Sequence, residues 1–118
     1  MTEYLLLFRN ASAESGYIAT SQDMAEDMPK WQAWIGNIAS QGKLIHTAPM
    51  QYDASVVTDN QVSTPHPYKE DNSVLVSGFL LCKSDNLQEV QGWGHTCPIH
   101  KYPNSSVEIR ALIPFSTH

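Results

Sequence analysis

The hydrophobic positions of this chain follow two different periods. Glu3 to Arg9 is dense in leucine and aromatics, with Tyr4, Leu6 and Phe8 on one side of an extended strand and Leu5 and Leu7 on the other. Apolar residues on both sides mark a strand covered twice rather than one with a face to water. Between Met24 and Ala39 the period changes. Met24, Met28, Trp31, Trp34, Ile35, Ile38 and Ala39 share one stripe of a helical wheel, while Lys30, Gly36, Asn37, Ser40 and Gln41 lie outside it. Gly42 follows the last periodic residue, where a left-handed C-cap is expected. Thr20 or Ser21 can N-cap this helix, with Asp23, Glu26 and Asp27 near its positive end. Pro29 removes one amide and crowds the preceding turn, so either the helix kinks there, the expected outcome, or a short first turn precedes a main helix that starts near Asp27.

The rest of the chain alternates in the same way. Asn10 to Gly16 is a polar loop, Lys43 to Thr47 a short second strand, and Ser55 to Ser63 a small hairpin centred on Asp59-Asn60. Thr64 to Asn72 carries two prolines and reads as a loop. Ser73 to Cys82 is a second strand apolar on both faces. Ser84 or Asp85 caps a second helix that runs to about Thr96, Pro98 stops it, and Val107 to Phe115 closes the chain as a strand. Strand, helix, strand, hairpin, strand, helix, strand is the order of a ferredoxin-like α+β fold, an antiparallel sheet with helices on one face. Residues 1–118 make a single domain on this reading. The two-sided strands then need a cover for the other face. A second copy of the same sheet supplies one, which predicts a homodimer closed as an α+β barrel.

Composition narrows the function classes. A hydrophobic content of 42% and a charged content of 16% fit a folded globule. The net charge of −5, with only seven scattered Lys and Arg, argues against a nucleic-acid footprint. No segment approaches the apolar length of a membrane span. The opening residues lack the basic flank and small-residue cleavage site of a signal peptide, so a cytoplasmic location with reduced Cys82 and Cys97 is expected. Nucleophile-elbow, phosphate-loop and dinucleotide patterns are absent, and no cofactor is expected.

Three constellations carry candidate chemistry. Glu108 and Arg110 alternate with Val107, Ile109 and Ala111, so they point away from the helices, and Arg9 comes near them if the first and last strands pair. They form either a cross-strand ion pair or the lining of a ligand cleft for an anion. His66, Tyr68 and Glu70 share the proline-rich loop, where a histidine beside a carboxylate can act as a general base; His46 is a similar candidate. His95, Cys97 and His100 offer metal-ligand side chains, but no second cluster joins them, and no metal site is expected. The ordinary alternative for that segment is a helix end whose histidines meet last-turn carbonyls. Trp31, Trp34 and Trp93 are read as core.

The opening strand, Trp31-Gln32-Ala33-Trp34-Ile35, Gln41-Gly42-Lys43-Leu44, Gly78-Phe79-Leu80-Leu81, Cys97-Pro98 and Val107-Glu108-Ile109-Arg110 together resemble the YCII-related, or DGPF-domain, family over nearly the whole chain. The resemblance implies a dimeric α+β barrel with a cleft between the sheet and the partner subunit. A small acidic or aromatic ligand in that inter-subunit cleft is the accompanying expectation. Some related proteins are dehydrochlorinases or muconolactone-isomerase-like enzymes, with a histidine shortly after a proline early in the first helix. That position is Trp31 here, which cannot carry a proton. The family's Asp-Gly-Pro-Phe-Ala-Glu segment is replaced by Pro65-His66-Pro67-Tyr68-Lys69-Glu70. Three readings stay open: a ligand-binding dimer with no assigned chemistry, a lyase or isomerase with a histidine base, and a structural or regulatory module.

Overall fold

The computed structural model describes residues 1–11, 21–67, 69–70 and 74–115, with side chains for all but 11, 21–24, 67, 69–70 and 74. Its elements are β1 (Thr2–Ala11), α1 (Ser21–Ser40), β2 (Leu44–Pro49), β3 (Asp53–Ala54), β4 (His66–Pro67), β5 (Lys69–Glu70), β6 (Val74–Ser84), α2 (Leu87–His95), a 3-10 turn (Pro98–Lys101) and β7 (Ser106–Ala111). The main sheet is antiparallel in the order β2-β6-β1-β7, with β5 added beside β6, and β3 and β4 pair separately. This is the ferredoxin-like α+β arrangement that the order of elements predicts.

Alternation decides which residues meet the helices. Tyr4, Leu6 and Phe8 of β1 are buried, as are Leu80 and Cys82 of β6, and they form one core with Trp34 and Ile38 of α1 and Val90 and Trp93 of α2. The indole Nε1–H of Trp34 donates to the Trp93 carbonyl at 3.0 Å, tying the two helices together. Leu5, Leu7, Phe79 and Leu81, one step out of register with that core, are half-buried on the opposite face. Among the described residues no helix packs over that second face. No described helix is long and apolar enough to cross a membrane.

The end of α1 follows its sequence closely. Gly42 adopts φ +71, Gly42 N–H donates to the Ala39 carbonyl at 2.9 Å, and Lys43 N–H reaches the Ile38 carbonyl at 3.4 Å. That pair of bonds is a Schellman cap, and glycine is the residue that takes the left-handed conformation without a Cβ penalty. At its start α1 runs through Pro29 as one helix, not as a main helix beginning near Asp27, while Thr20 and the side chains of Ser21, Asp23 and Met24 lie outside the described residues. Met28, expected in the apolar stripe, is 48% exposed, and Ala39 is exposed too, because the helix turns these edges past the sheet.

Other boundaries shift for identifiable reasons. Asn86, not Ser84 or Asp85, caps α2: its Oδ1 accepts from Gln88 N–H at 2.8 Å, while the Ser84 hydroxyl instead donates to Glu89 Oε1 at 2.7 Å. The closing strand stops at Ala111, well short of Phe115. Ala111 pairs with Tyr4 and Leu112 N–H reaches the Glu3 carbonyl, so β1 has little backbone left to offer, and Ile113 and Phe115 stand exposed. The expected hairpin at Asp59-Asn60 is present, closed by Thr58 N–H to the Gln61 carbonyl and a Val57–Val62 bridge. The segment from Thr64 that reads as loop contributes β4 and β5, because backbone there pairs with Asp53–Ala54 and with Val74–Leu75. The expected loop after Asn10 lies mostly outside the described residues.

Candidate functional site

Asp27, Trp31 and Ile35 are four residues apart on α1, so they face the sheet one above another. Opposite them β1 supplies Phe8 and Asn10, β2 supplies Thr47, Ala48 and Pro49, and β6 supplies Ser77. These residues, with Met28, Tyr52, Ile99 and Tyr102, enclose a cavity of about 200 Å³. The exposed Met28 and Pro49 mark its mouth, and the buried Phe8, Asn10, Asp27 and Tyr102 mark its depth. One wall is aromatic: Trp31 meets Phe8 edge-on at 5.1 Å between ring centroids and Trp34 at 5.7 Å.

A bulge between Phe8 and Arg9 shapes the floor, since Phe8 pairs with Gly78 but Arg9 pairs with Val76. The skipped residue is Ser77, and a bulge of this kind re-aims a side chain. Ser77 Oγ donates to Asn10 Oδ1 at 2.6 Å and lies 3.3 Å from the Phe8 carbonyl. Gly78 is needed beside it. A Cβ there would come within 3.0 Å of the Ala48 carbonyl oxygen and 3.3 Å of the Phe8 ring.

The other polar end is a buried carboxylate. Asp27 is 4% exposed; Lys101 Nζ donates to its Oδ1 at 2.7 Å and the Tyr102 hydroxyl donates to its Oδ2. The Lys101 ammonium and the Tyr102 hydroxyl together hold the Asp27 carboxyl below its ordinary range, against the opposing push of burial. Their turn is itself fixed: Ser105 Oγ donates to the Ile99 and Tyr102 carbonyls, each at 2.8 Å, and His100 Nε2 meets the Gly94 carbonyl at 2.8 Å. Burial pushes the Tyr52 phenol in the opposite direction, upward, so it stays protonated at neutral pH.

The residues expected from the sequence lie elsewhere. Arg9, Glu108 and Arg110 do come together, on the face of the sheet away from the helices. Arg9 Nη1 donates to Glu108 Oε1, and Arg110 Nε donates to Glu108 Oε2 at 2.6 Å. Arg110 first, and Arg9 with it, holds the Glu108 carboxyl below its usual range. His46 sits on that same face with its ring 5.6 Å from Phe79. His66 is exposed, with Nδ1 2.8 Å from the Thr64 carbonyl. Tyr68 and the Glu70 side chain lie outside the described residues. None of the described candidates lines the cavity.

The cysteines are buried free thiols, with burial pushing Cys82 up to about 11 and Cys97 up to about 12. Neither is a thiolate nucleophile at neutral pH. Among the described residues no three His, Cys, Asp or Glu converge on a metal-sized site.

The cavity residues were not without a signal. Asp27 shares the helical stripe with Trp31, Trp34 and Ile38, so an acid sits in phase with the core face. Asp27 is also one of several acids near the helix N-terminus, a position acids commonly occupy. Tyr102 follows a proline-started 3-10 turn with no periodicity, and it gave no comparable signal.

No protein-family model and no curated protein matches this chain. Among solved structures it is similar to 5-chloro-2-hydroxyhydroquinone dehydrochlorinase from Burkholderia phenoliruptrix, in complex with 2,5-dihydroxybenzoquinone. The similarity has a TM-score of 0.49 and 17% identity, and covers 89% of this chain and 90% of that one.

Proposed function

We propose that this chain is a cytoplasmic, YCII-related homodimer that binds a small ring-bearing ligand in the cavity beneath α1. The observation that carries this reading is the cavity of about 200 Å³ with an aromatic wall and two polar ends, Asp27–Tyr102 and Asn10–Ser77. Pockets of this make-up, apolar with a few placed polar groups, are where small molecules bind. A cavity of about 150 Å³ already holds a benzene ring, so this one admits a ring with a substituent or two.

Binding is favoured over proton transfer by the groups that line the cavity. Asp27 is a weak base because its carboxyl is held acidic, and Tyr52 holds its proton. Neither is poised near neutral pH as a general base must be. The lyase or isomerase alternative rests on His46 or His66 reaching a substrate bound outside this cavity.

The dimer reading rests on the second sheet face, where Leu5, Leu7, Phe79 and Leu81 form an apolar surface beside the Arg9–Glu108–Arg110 network. A second sheet packed there would bury these residues and leave the charged network at the rim. The test is a calorimetric screen of ring compounds, with Trp31→Ala as the variant. A ring ligand should lose several-fold in affinity when the Trp31 wall is removed. Equal binding by both proteins would move the ligand site elsewhere. Light scattering that returns the mass of one chain at all concentrations would remove the dimer.

A further inference from the structure

The donors and acceptors of the cavity select the polarity of its ligand, and this inference rests on the binding reading above. Asp27 is the single charged side chain among the described residues that line the cavity. Its carboxylate is ionised, and each oxygen accepts one donor, Lys101 on Oδ1 and Tyr102 on Oδ2. A carboxylate has about four acceptor sites, so acceptor capacity remains beyond these two bonds. The charge of Lys101 is already matched to this same carboxylate. Arg9 and Arg110 are directed to Glu108 on the opposite face of the sheet. At the other end the Ser77 hydroxyl donates to Asn10 Oδ1, a second polar pair on the cavity wall.

We infer that the cavity takes a neutral ring compound carrying a hydrogen-bond donor, a phenol or an arylamine, whose O–H or N–H donates to Asp27, and that it rejects aromatic carboxylates. A neutral donor gains a charge-assisted hydrogen bond inside a partly dry site. An aromatic acid would bring a second carboxylate against Asp27, the single charged side chain on the cavity wall, while the nearby Lys101 and Lys30 charges already act on Asp27. The ring itself stacks against the Trp31–Phe8 wall.

Three probes built on one benzene ring separate these terms: phenol, anisole and benzoate. Anisole keeps the ring and the oxygen but has no hydrogen to donate. The chain has three tryptophans, so nitrogen–proton NMR spectra show three indole signals. The Trp31 signal is assigned by its loss in Trp31→Phe, and its movement during titration reads occupancy of the cavity. Phenol should move it with an affinity about 10–100-fold tighter than anisole, the worth of one hydrogen bond to a charged group. Benzoate should leave it in place at concentrations where phenol saturates. In Asp27→Asn the preference for phenol over anisole should fall below about threefold, since the charge assistance is gone. Phenol and anisole binding equally to the wild-type protein would overturn the donor inference and leave the cavity reading standing. Benzoate binding more tightly than phenol would overturn it as well. If none of the three moves the Trp31 signal, the cavity reading falls with it.

Discussion

The two faces of the sheet are made from the same strands, and they end in different states. On the helix side Leu6, Leu80 and Cys82 are fully buried under Ile38 and Val90. One residue along each strand, Leu5, Leu7, Phe79 and Leu81 are comparably apolar and only half-buried. Strand periodicity makes both faces hydrophobic, but the described helices cover only one. The difference also sorts the polar groups. On the covered face they pair with one another around buried Asp27 and Asn10, as in Asp27–Tyr102–Lys101 and Asn10–Ser77. On the other face they are a rim of longer charged side chains around Glu108.

Substitutions at matched positions should therefore separate the faces. The largest effect belongs to Trp34→Ala, which opens the core and removes the hydrogen bond to Trp93; it should cost about 3–5 kcal/mol in urea unfolding. Leu81→Ala on the other face should cost only about 1 kcal/mol in dilute solution. A loss at Leu81 equal to that at Trp34, whatever the protein concentration, would erase the distinction between the faces.

Asp27→Asn comes next. It weakens two hydrogen bonds to a buried charge and should cost about 1–3 kcal/mol at pH 7. The sign of its pH dependence follows from the lowered carboxyl. With the folded value below the unfolded one, the stabilisation is present above the ordinary value of 3.8 and is lost as pH falls through the lower folded value. Unfolding curves at pH 7 and near pH 3 should show the wild-type advantage shrinking on acidification. An advantage that stays constant between the two would mean the Asp27 charge is not what Lys101 and Tyr102 stabilise.

The smallest effect is expected at the rim. Arg110 is 71% exposed, so Arg110→Met should change stability by no more than about 1 kcal/mol, and added salt should remove part of that. A change of several kcal/mol would show that the Glu108 network is buried in solution and does not lie at a rim.

Much of the fold is legible in the chain because it depends on local periods. The helical stripe through Trp34 and Ile38, the Gly42 cap and the two-sided strands at Tyr4–Phe8 and Val74–Cys82 each need only neighbouring residues. Boundaries set by pairing were harder to see. The closing strand ends at Ala111 because β1 ends, a fact about another part of the chain. The Arg9–Glu108–Arg110 cluster was readable from alternation plus one strand pairing. The cavity was not, because its parts come from residues 8, 10, 27, 31, 52, 77 and 102, which no short-range pattern links.

The sequence by itself determined the order of the main strands and helices, most of the core and the excess of apolar strand surface, since side-chain period and turn chemistry act over a few residues. Only the tertiary structure decided where the polar groups within that apolar pattern would meet. Asp27 is an ordinary acid near a helix start until the turn after Pro98 brings Lys101 and Tyr102 onto it. Ser77 is an ordinary strand serine until the bulge opposite Phe8 and Arg9 turns it toward Asn10. Burial then gives both pairs their consequence, because a polar group taken out of water has to find its partner in the protein or in a ligand.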